Sequence, residues 1–154
     1  MARLSRLLAA PLIAIASVAL LVMMGATVVD VIGRHLFGAP LQGVVEIVEI
    51  SMVAATFLGI AAASFAGAHI VVDLVDTAMP RAAAAIAALA SAASLLIFAA
   101  LAWLTTRELL DAIDWGDTTV DLGIPHTAYW AFILAGFAFG TVAALLRLLS
   151  GAHR

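Results

Sequence analysis

Four long apolar stretches alternate with short polar segments along this chain. The first runs without a charge from Leu7 to Val29, with Arg3 and Arg6 before it and Asp30, Arg34 and His35 after it. An α-helix of about 20 residues crosses the roughly 30 Å of a bilayer's hydrocarbon core, so this stretch is long enough to span. Arginines ahead of an apolar run also open a secretory signal peptide. The run exceeds the roughly 7–15-residue core of such a peptide and three more apolar segments follow, so it reads as the first membrane helix. The second stretch extends from Val44 to about Gly67, the third from Ala82 to Thr106, and the fourth from Pro125 to about Leu146. The pattern predicts an all-α integral membrane protein. It is a bundle of four transmembrane helices in one domain, 1–154, with spans at about 8–30, 44–67, 82–107 and 125–147.

The segments between the spans carry turn chemistry. Gly38, Ala39, Pro40 and Gly43 separate the first two helices, and Pro40 removes a backbone donor that a continuing helix would need. His69, Asp73, Asp76 and Pro80 mark a short polar loop after the second. Glu108, Asp111 and Asp114 share one helical face, which predicts that the third helix runs on as an amphipathic turn or two until Gly116 ends it. Pro125 sits in the first turn of the fourth helix, where proline is tolerated. The first half of the third span is rich in alanine, with weak hydropathy and high helix propensity, which suits a helix buried among protein neighbours.

Composition agrees with this layout. The chain is 66% hydrophobic and 11% charged, with a mean hydropathy of +1.20, whereas roughly a quarter of residues are charged in soluble domains. A net charge of −3 and the absence of lysine exclude a nucleic-acid partner. With no cysteine there are no disulfides, thiol nucleophiles or Cys-ligated metals. Orientation follows from the arginines. Placing the N-terminus inside puts Arg3, Arg6, Arg81, Arg147 and Arg154 on the inner side and only Arg34 and Arg107 outside, so both termini are expected in the cytoplasm. Trp103, Trp115, Tyr129 and Trp130 then fall at the outer interface, where amphipathic aromatics concentrate.

Several residues are candidates for chemistry, each with a bland rival. Glu46 and Glu49 lie three apart near the start of the second helix, and ionisable groups in a membrane segment are functional candidates by default. Their place in the first turns favours pairing with Arg34 across the Pro40 turn, in a cluster that Asp30 could join, or subunit contact, over ion translocation. His69 and Asp73 are four apart with Asp76 beyond them; helix capping is favoured over a metal set that lacks a fourth ligand. The four histidines, His35, His69, His126 and His153, all fall at or outside the predicted boundaries, which does not suit axial ligation of a haem within the bundle. The acidic segment from Glu108 to Asp121 is a solvated loop or a surface for a cation or a basic partner. Ser51, Ala55, Gly59, Ala63 and Gly67 recur every fourth residue, and Gly136, Gly140 and Ala144 do the same in the fourth helix. Such faces allow close helix approach in lipid. No nucleophile–base pair, phosphate-binding loop or zinc spacing occurs, so no enzyme and no cofactor is expected.

Arg34-His35-Leu36-Phe37-Gly38-Ala39-Pro40-Leu41, then Glu46 and Glu49, Phe57-Leu58-Gly59, and His69-Ile70-Val71-Val72-Asp73-Leu74 resemble, in order and spacing, the small permease subunit of tripartite ATP-independent periplasmic (TRAP) transporters, the DctQ type. Leu122-Gly123-Ile124-Pro125 with Tyr129 is similar to that family's lead into its last helix. His35 stands where the family more often has tyrosine, and Gln42-Gly43 replaces a more usual Trp-Ser turn. The resemblance implies a multi-pass subunit of a bacterial inner-membrane complex without catalytic activity. It would scaffold a large permease subunit for sodium-coupled symport of an organic acid delivered by a periplasmic binding protein. Under that reading Arg34, Glu46, Glu49, Gly59, His69, Asp73 and Gly136 are subunit or interface candidates, and His35, Asp111, Asp114 and Asp117 are candidates for docking the binding protein. Two rivals remain open. A self-sufficient small homo-oligomeric transporter would need an embedded carboxylate in the first span, which has none. A cofactor-holding anchor of a membrane oxidoreductase would show a haem absorbance band in the purified protein, which is not expected, so an anchor of another membrane complex would be cofactor-free.

Overall fold

The computed structural model describes residues 2–66 and 80–151. Four helices account for nearly all of them: α1 (Ala2–Phe37), α2 (Val44–Ala66), α3 (Pro80–Trp115) and α4 (His126–Gly151). Each is long and apolar enough to cross a membrane. Among the described residues there is no strand, only an isolated antiparallel bridge between Thr118 and Pro125. The chain is therefore an all-helical, multi-pass membrane protein.

The helices form a row in which α1 packs on α2, α2 on α4, and α4 on α3. α1 and α3 lie on the flanks. Residues contacting across α2 and α4 keep nearly constant offsets, as in the Glu46–Tyr129 and Ser64–Arg147 pairs, so these two run parallel. The α1–α2 and α3–α4 connections share one end of the row, termed here the loop end.

α1 meets α2 along a seam of Ala9, Leu12, Ala16, Ala19, Met23, Ala26 and Asp30, at alternating spacings of three and four, while the residues between them face outward. Three- and four-residue steps keep one narrow stripe of a helix facing its neighbour, and small side chains on that stripe let the backbones come close. At the far end Ala9, Leu12 and Ala16 join Leu58, Ala61, Ala62 and Phe65 of α2 and Ala143 of α4 in one cluster. α4 approaches α2 closely at Gly136, where an added Cβ would lie 2.6 Å from the Phe57 carbonyl oxygen. Phe137 then bridges three helices. Its ring meets Phe57 of α2 edge-on at 5.3 Å and Phe98 of α3 at 6.4 Å, separations at which aromatic pairs attract beyond simple burial.

Two faces that the sequence marks for packing are left uncovered among the described residues of this chain. Among the described residues, α3 is only lightly covered by the rest of this chain. Only 6% of its span window is covered, against 33% for α2. Its alanines permit close approach, but among the described residues α4 is its one substantial neighbour, and Leu89, Leu96, Ile97, Leu101 and Leu104 stay exposed. The small-residue stripe on α2 is also displaced. The covered face runs through Ser51, Ala54, Leu58, Ala61, Ala62 and Phe65, and nothing comes within 4 Å of a Cβ added at Gly59. Fourfold spacing of small residues marks a possible face but does not say which neighbour uses it.

The helix ends follow the turn residues. α1 continues past Asp30 and Arg34 to Phe37 and ends at Gly38, whose φ of 63° is the left-handed conformation that glycine adopts without strain. α3 continues through Glu108, Asp111 and Asp114 and stops at Gly116, φ 66°, as its spacing predicts. Both flanking helices have 36 residues, roughly 54 Å of helix, so they outreach a flat bilayer or cross it tilted.

Candidate functional site

The loop end is organised by two buried carboxylates. Asp30, in the last turns of α1, is 8% exposed. Its Oδ2 accepts a hydrogen bond from Arg34 Nε at 2.8 Å, and its Oδ1 accepts one from the Leu41 backbone N–H at 3.0 Å. The α1–α2 connection is thereby tied back to the helix that precedes it. Ala39 N–H donates to the Gly33 carbonyl in the same turn, and a Cβ at position 33 would lie 2.8 Å from the Ala39 oxygen. Arg34, with a side chain 57% exposed, carries its guanidinium at the rim.

Glu46, in the first turn of α2, is the second centre and is 7% exposed. Its carboxylate turns toward the α3–α4 connection rather than toward Arg34. Oε2 accepts the Thr119 hydroxyl at 2.6 Å and the Leu122 N–H at 2.9 Å, and Oε1 accepts the Asp121 N–H at 2.7 Å. Charge-assisted hydrogen bonds of this kind are among the stronger ones in proteins. The connection is also braced internally. Ile124 N–H donates to Thr119 Oγ1 at 2.8 Å, Thr119 N–H to the Ile124 carbonyl at 2.9 Å, and His126 N–H to the Asp117 carbonyl at 3.0 Å. The Tyr129 hydroxyl reaches the Glu46 carbonyl at 3.4 Å, and its ring stacks on His126 at 5.9 Å.

Glycines make this approach possible. Gly43, φ 71°, lies directly under Leu122, whose Cγ would be 2.3 Å from a Cβ at that position. Gly123, φ 67°, turns the chain back toward α4. The two segments singled out in the sequence, Pro40 to Glu46 and Leu122 to Tyr129, thus converge on one network although they lie about 80 residues apart.

At the opposite end of the row, the Arg147 guanidinium of α4 donates to the Ser64 carbonyl in the last turn of α2. A cation placed at the end of a helix from which its carbonyls point meets the negative end of the helix dipole. α2 is held by polar contacts at both ends. Among the described residues, every buried side-chain nitrogen and oxygen has a hydrogen-bond partner.

The sequence candidates divide as follows. The expected pairing of Arg34 with Glu46 and Glu49 does not form: Arg34 pairs with Asp30, and Glu46 is committed to the α3–α4 connection. The Asp30–Arg34 spacing of four was the available signal, because such a pair on a helix meets without any tertiary assumption. Glu49 is exposed, as are His35, Asp111, Asp114 and Asp117. Gly136 is a packing glycine between α4 and α2, and Gly59 faces open space. His69 and Asp73 lie outside the described residues. Thr119 and Arg147 were not anticipated as contact residues, since their partners are 73 and 83 positions away. Among the described residues no group of three His, Cys, Asp or Glu side chains is placed to hold a metal.

A family model described as the DctQ component of tripartite ATP-independent periplasmic transporters matches residues 23–154 of the chain. No curated protein and no solved structure matches it.

Proposed function

Because the chain belongs to the DctQ component family of tripartite ATP-independent periplasmic transporters, a family of small membrane subunits, we propose that it scaffolds a large permease subunit during sodium-coupled uptake of an organic acid. In this reading both termini face the cytoplasm of a bacterial inner membrane. The loop end faces the periplasm, where a soluble binding protein delivers the substrate.

The observation that supports a scaffold over a translocating role is how the charged groups in and beside the spans are used. Asp30, Glu46 and Arg147 lie toward helix ends and each is engaged within the chain. No Asp, Glu, His, Lys or Arg occurs between 50 and 66 or between 127 and 146. Ion and proton pathways in membranes are marked by ionisable side chains at depth, facing a cavity or a partner group. Here the buried carboxylates hold connections in place. The uncovered apolar face of α3, with the open small-residue stripe around Gly59, offers surface for a larger membrane partner.

Asp111 and Asp114, exposed on the last turns of α3, are assigned to binding-protein docking. Reversing both charges in Asp111→Lys/Asp114→Lys is expected to weaken docking of the binding protein about tenfold and to flatten its salt dependence, since rim charges act mainly on encounter rates. Co-purification with the large subunit is expected to be unchanged. Wild-type uptake at low binding-protein concentration would count against the assignment.

A further inference from the structure

The α3–α4 connection is built more firmly than a solvated loop requires. Residues 117–126 are joined by an antiparallel bridge, made of two backbone hydrogen bonds, and by a Thr119 side-chain bond. Three donors, on Thr119, Asp121 and Leu122, converge on the Glu46 carboxylate, and Leu122 rests on Gly43. Val120, between these anchored residues, is 98% exposed. An apolar side chain standing alone on a surface is ordinary. One presented on a backbone fixed on both sides by a buried carboxylate is a preorganised contact, because the ordering that binding would otherwise require is already done.

We infer that Glu46 is a positioning residue for docking, holding the 119–122 turn so that Val120 and its acidic flank, Asp117 and Asp121, engage an apolar recess with a basic rim on the periplasmic binding protein. The occupant follows from charge. Asp117 and Asp121 are exposed beside Val120, and Asp111 and Asp114 stand at the end of α3 leading into the same connection. Carboxylates at this density disfavour insertion among lipid phosphates and favour a basic protein surface. The inference rests on the proposed assignment of the loop end to the periplasm. It places the contact on Val120 and its origin on a side chain of a different helix.

The test is uptake by the reconstituted complex of both membrane subunits, titrated with its binding protein, for Glu46→Gln, Val120→Ala and the double variant. Glutamine keeps the size of Glu46 but presents an amide donor to a site built entirely of donors. Glu46→Gln is expected to raise the binding-protein concentration for half-maximal uptake about tenfold, leaving the maximal rate and subunit assembly unchanged. Val120→Ala should do the same. The double variant should be no worse than the more affected single one, because residues acting through one contact are not additive. Hydrogen exchange at the Asp121 and Leu122 amides is expected to accelerate at least tenfold in Glu46→Gln and to remain slow in Val120→Ala.

A lowered maximal rate with unchanged half-saturation would overturn the inference, as would multiplying effects in the double variant. Should Glu46→Gln fail to assemble, Thr119→Ala, which removes one of the three donors, takes its place with the same expected pattern. If Glu46→Gln and Val120→Ala leave half-saturation unchanged while the Asp111/Asp114 reversal raises it, the positioning role fails and the docking assignment stands. If all of them leave it unchanged, the docking assignment itself fails.

Discussion

Gly136→Leu is expected to separate α4 from α2 and destabilise the chain by about 3 kcal/mol, the upper end of the range for forcing a larger side chain into a packed site. The obstacle is backbone. A Cβ at 136 would lie 2.6 Å from the Phe57 carbonyl oxygen and 2.9 Å from its carbonyl carbon, and neither can rotate aside as a side-chain tip could. Gly136→Ala already meets this contact and should show a smaller loss of the same kind. The consequence spreads because Phe137, next in sequence, carries the edge-on contact with Phe57 and the contact with Phe98. Once α4 is displaced, α3 loses its one substantial neighbour among the described residues. Gly59→Ala is the matched control, since a Cβ there meets nothing within 4 Å. Thermal unfolding of the purified chain in detergent should separate the two variants clearly, and equal midpoints would show that the α2–α4 contact is not where the structure puts it.

Gly43→Val combines two penalties at the other end of α2. Its φ of 71° is strained for any β-branched residue, at about 1–3 kcal/mol. Its Cβ would stand 2.3 Å from Leu122 Cγ, and relieving such overpacking costs about 1–3 kcal/mol more. Leu122 can yield only by lifting off α2, and its N–H leaves the Glu46 carboxylate as it goes. The expected result is a less stable chain with fast hydrogen exchange at Asp121 and Leu122. Adding Leu122→Ala to Gly43→Ala should recover the steric part and leave the backbone strain. Wild-type stability and exchange in Gly43→Val would contradict the described contact between these two connections.

The contrast between Gly43 and Gly59 shows how far residue patterns carry. Both are glycines in motif-bearing segments, and nothing local says that the first supports a distant leucine while the second faces open space. The four spans were legible because uninterrupted apolar runs of this length have few alternatives once lipid replaces water as the solvent. Gly38 and Gly116 mark helix ends because left-handed termination favours glycine. The extension of α1 to Phe37 was harder to read, since Asp30 and Arg34 look like the polar close of a span. Four apart, they satisfy each other and let the helix run on. The α2–α4 and α4–α3 pairings were not legible, because lipid-facing and protein-facing apolar surfaces share one composition. That leaves the order of the row, and with it the exposure of α3, to tertiary structure.

Glu46 was visible as an unusual residue and misleading as to partner. Its sequence neighbours suggest Arg34, one short turn away. The folded chain sends its carboxylate to backbone donors in the α3–α4 connection, whose capacity to accept it depends on a conformation invisible in sequence. The family motifs around Leu122 and Tyr129 acquire a physical meaning through this contact. They surround the turn that Glu46 holds.

The scaffold role is tested most directly by isolating the tagged chain from its native membrane in mild detergent and identifying what comes with it by mass. The account predicts a stoichiometric, much larger polytopic membrane protein that persists through size exclusion. Recovery of the chain alone as a homo-oligomer active in reconstituted transport would contradict it and return Glu46 and Glu49 to consideration as a translocation site.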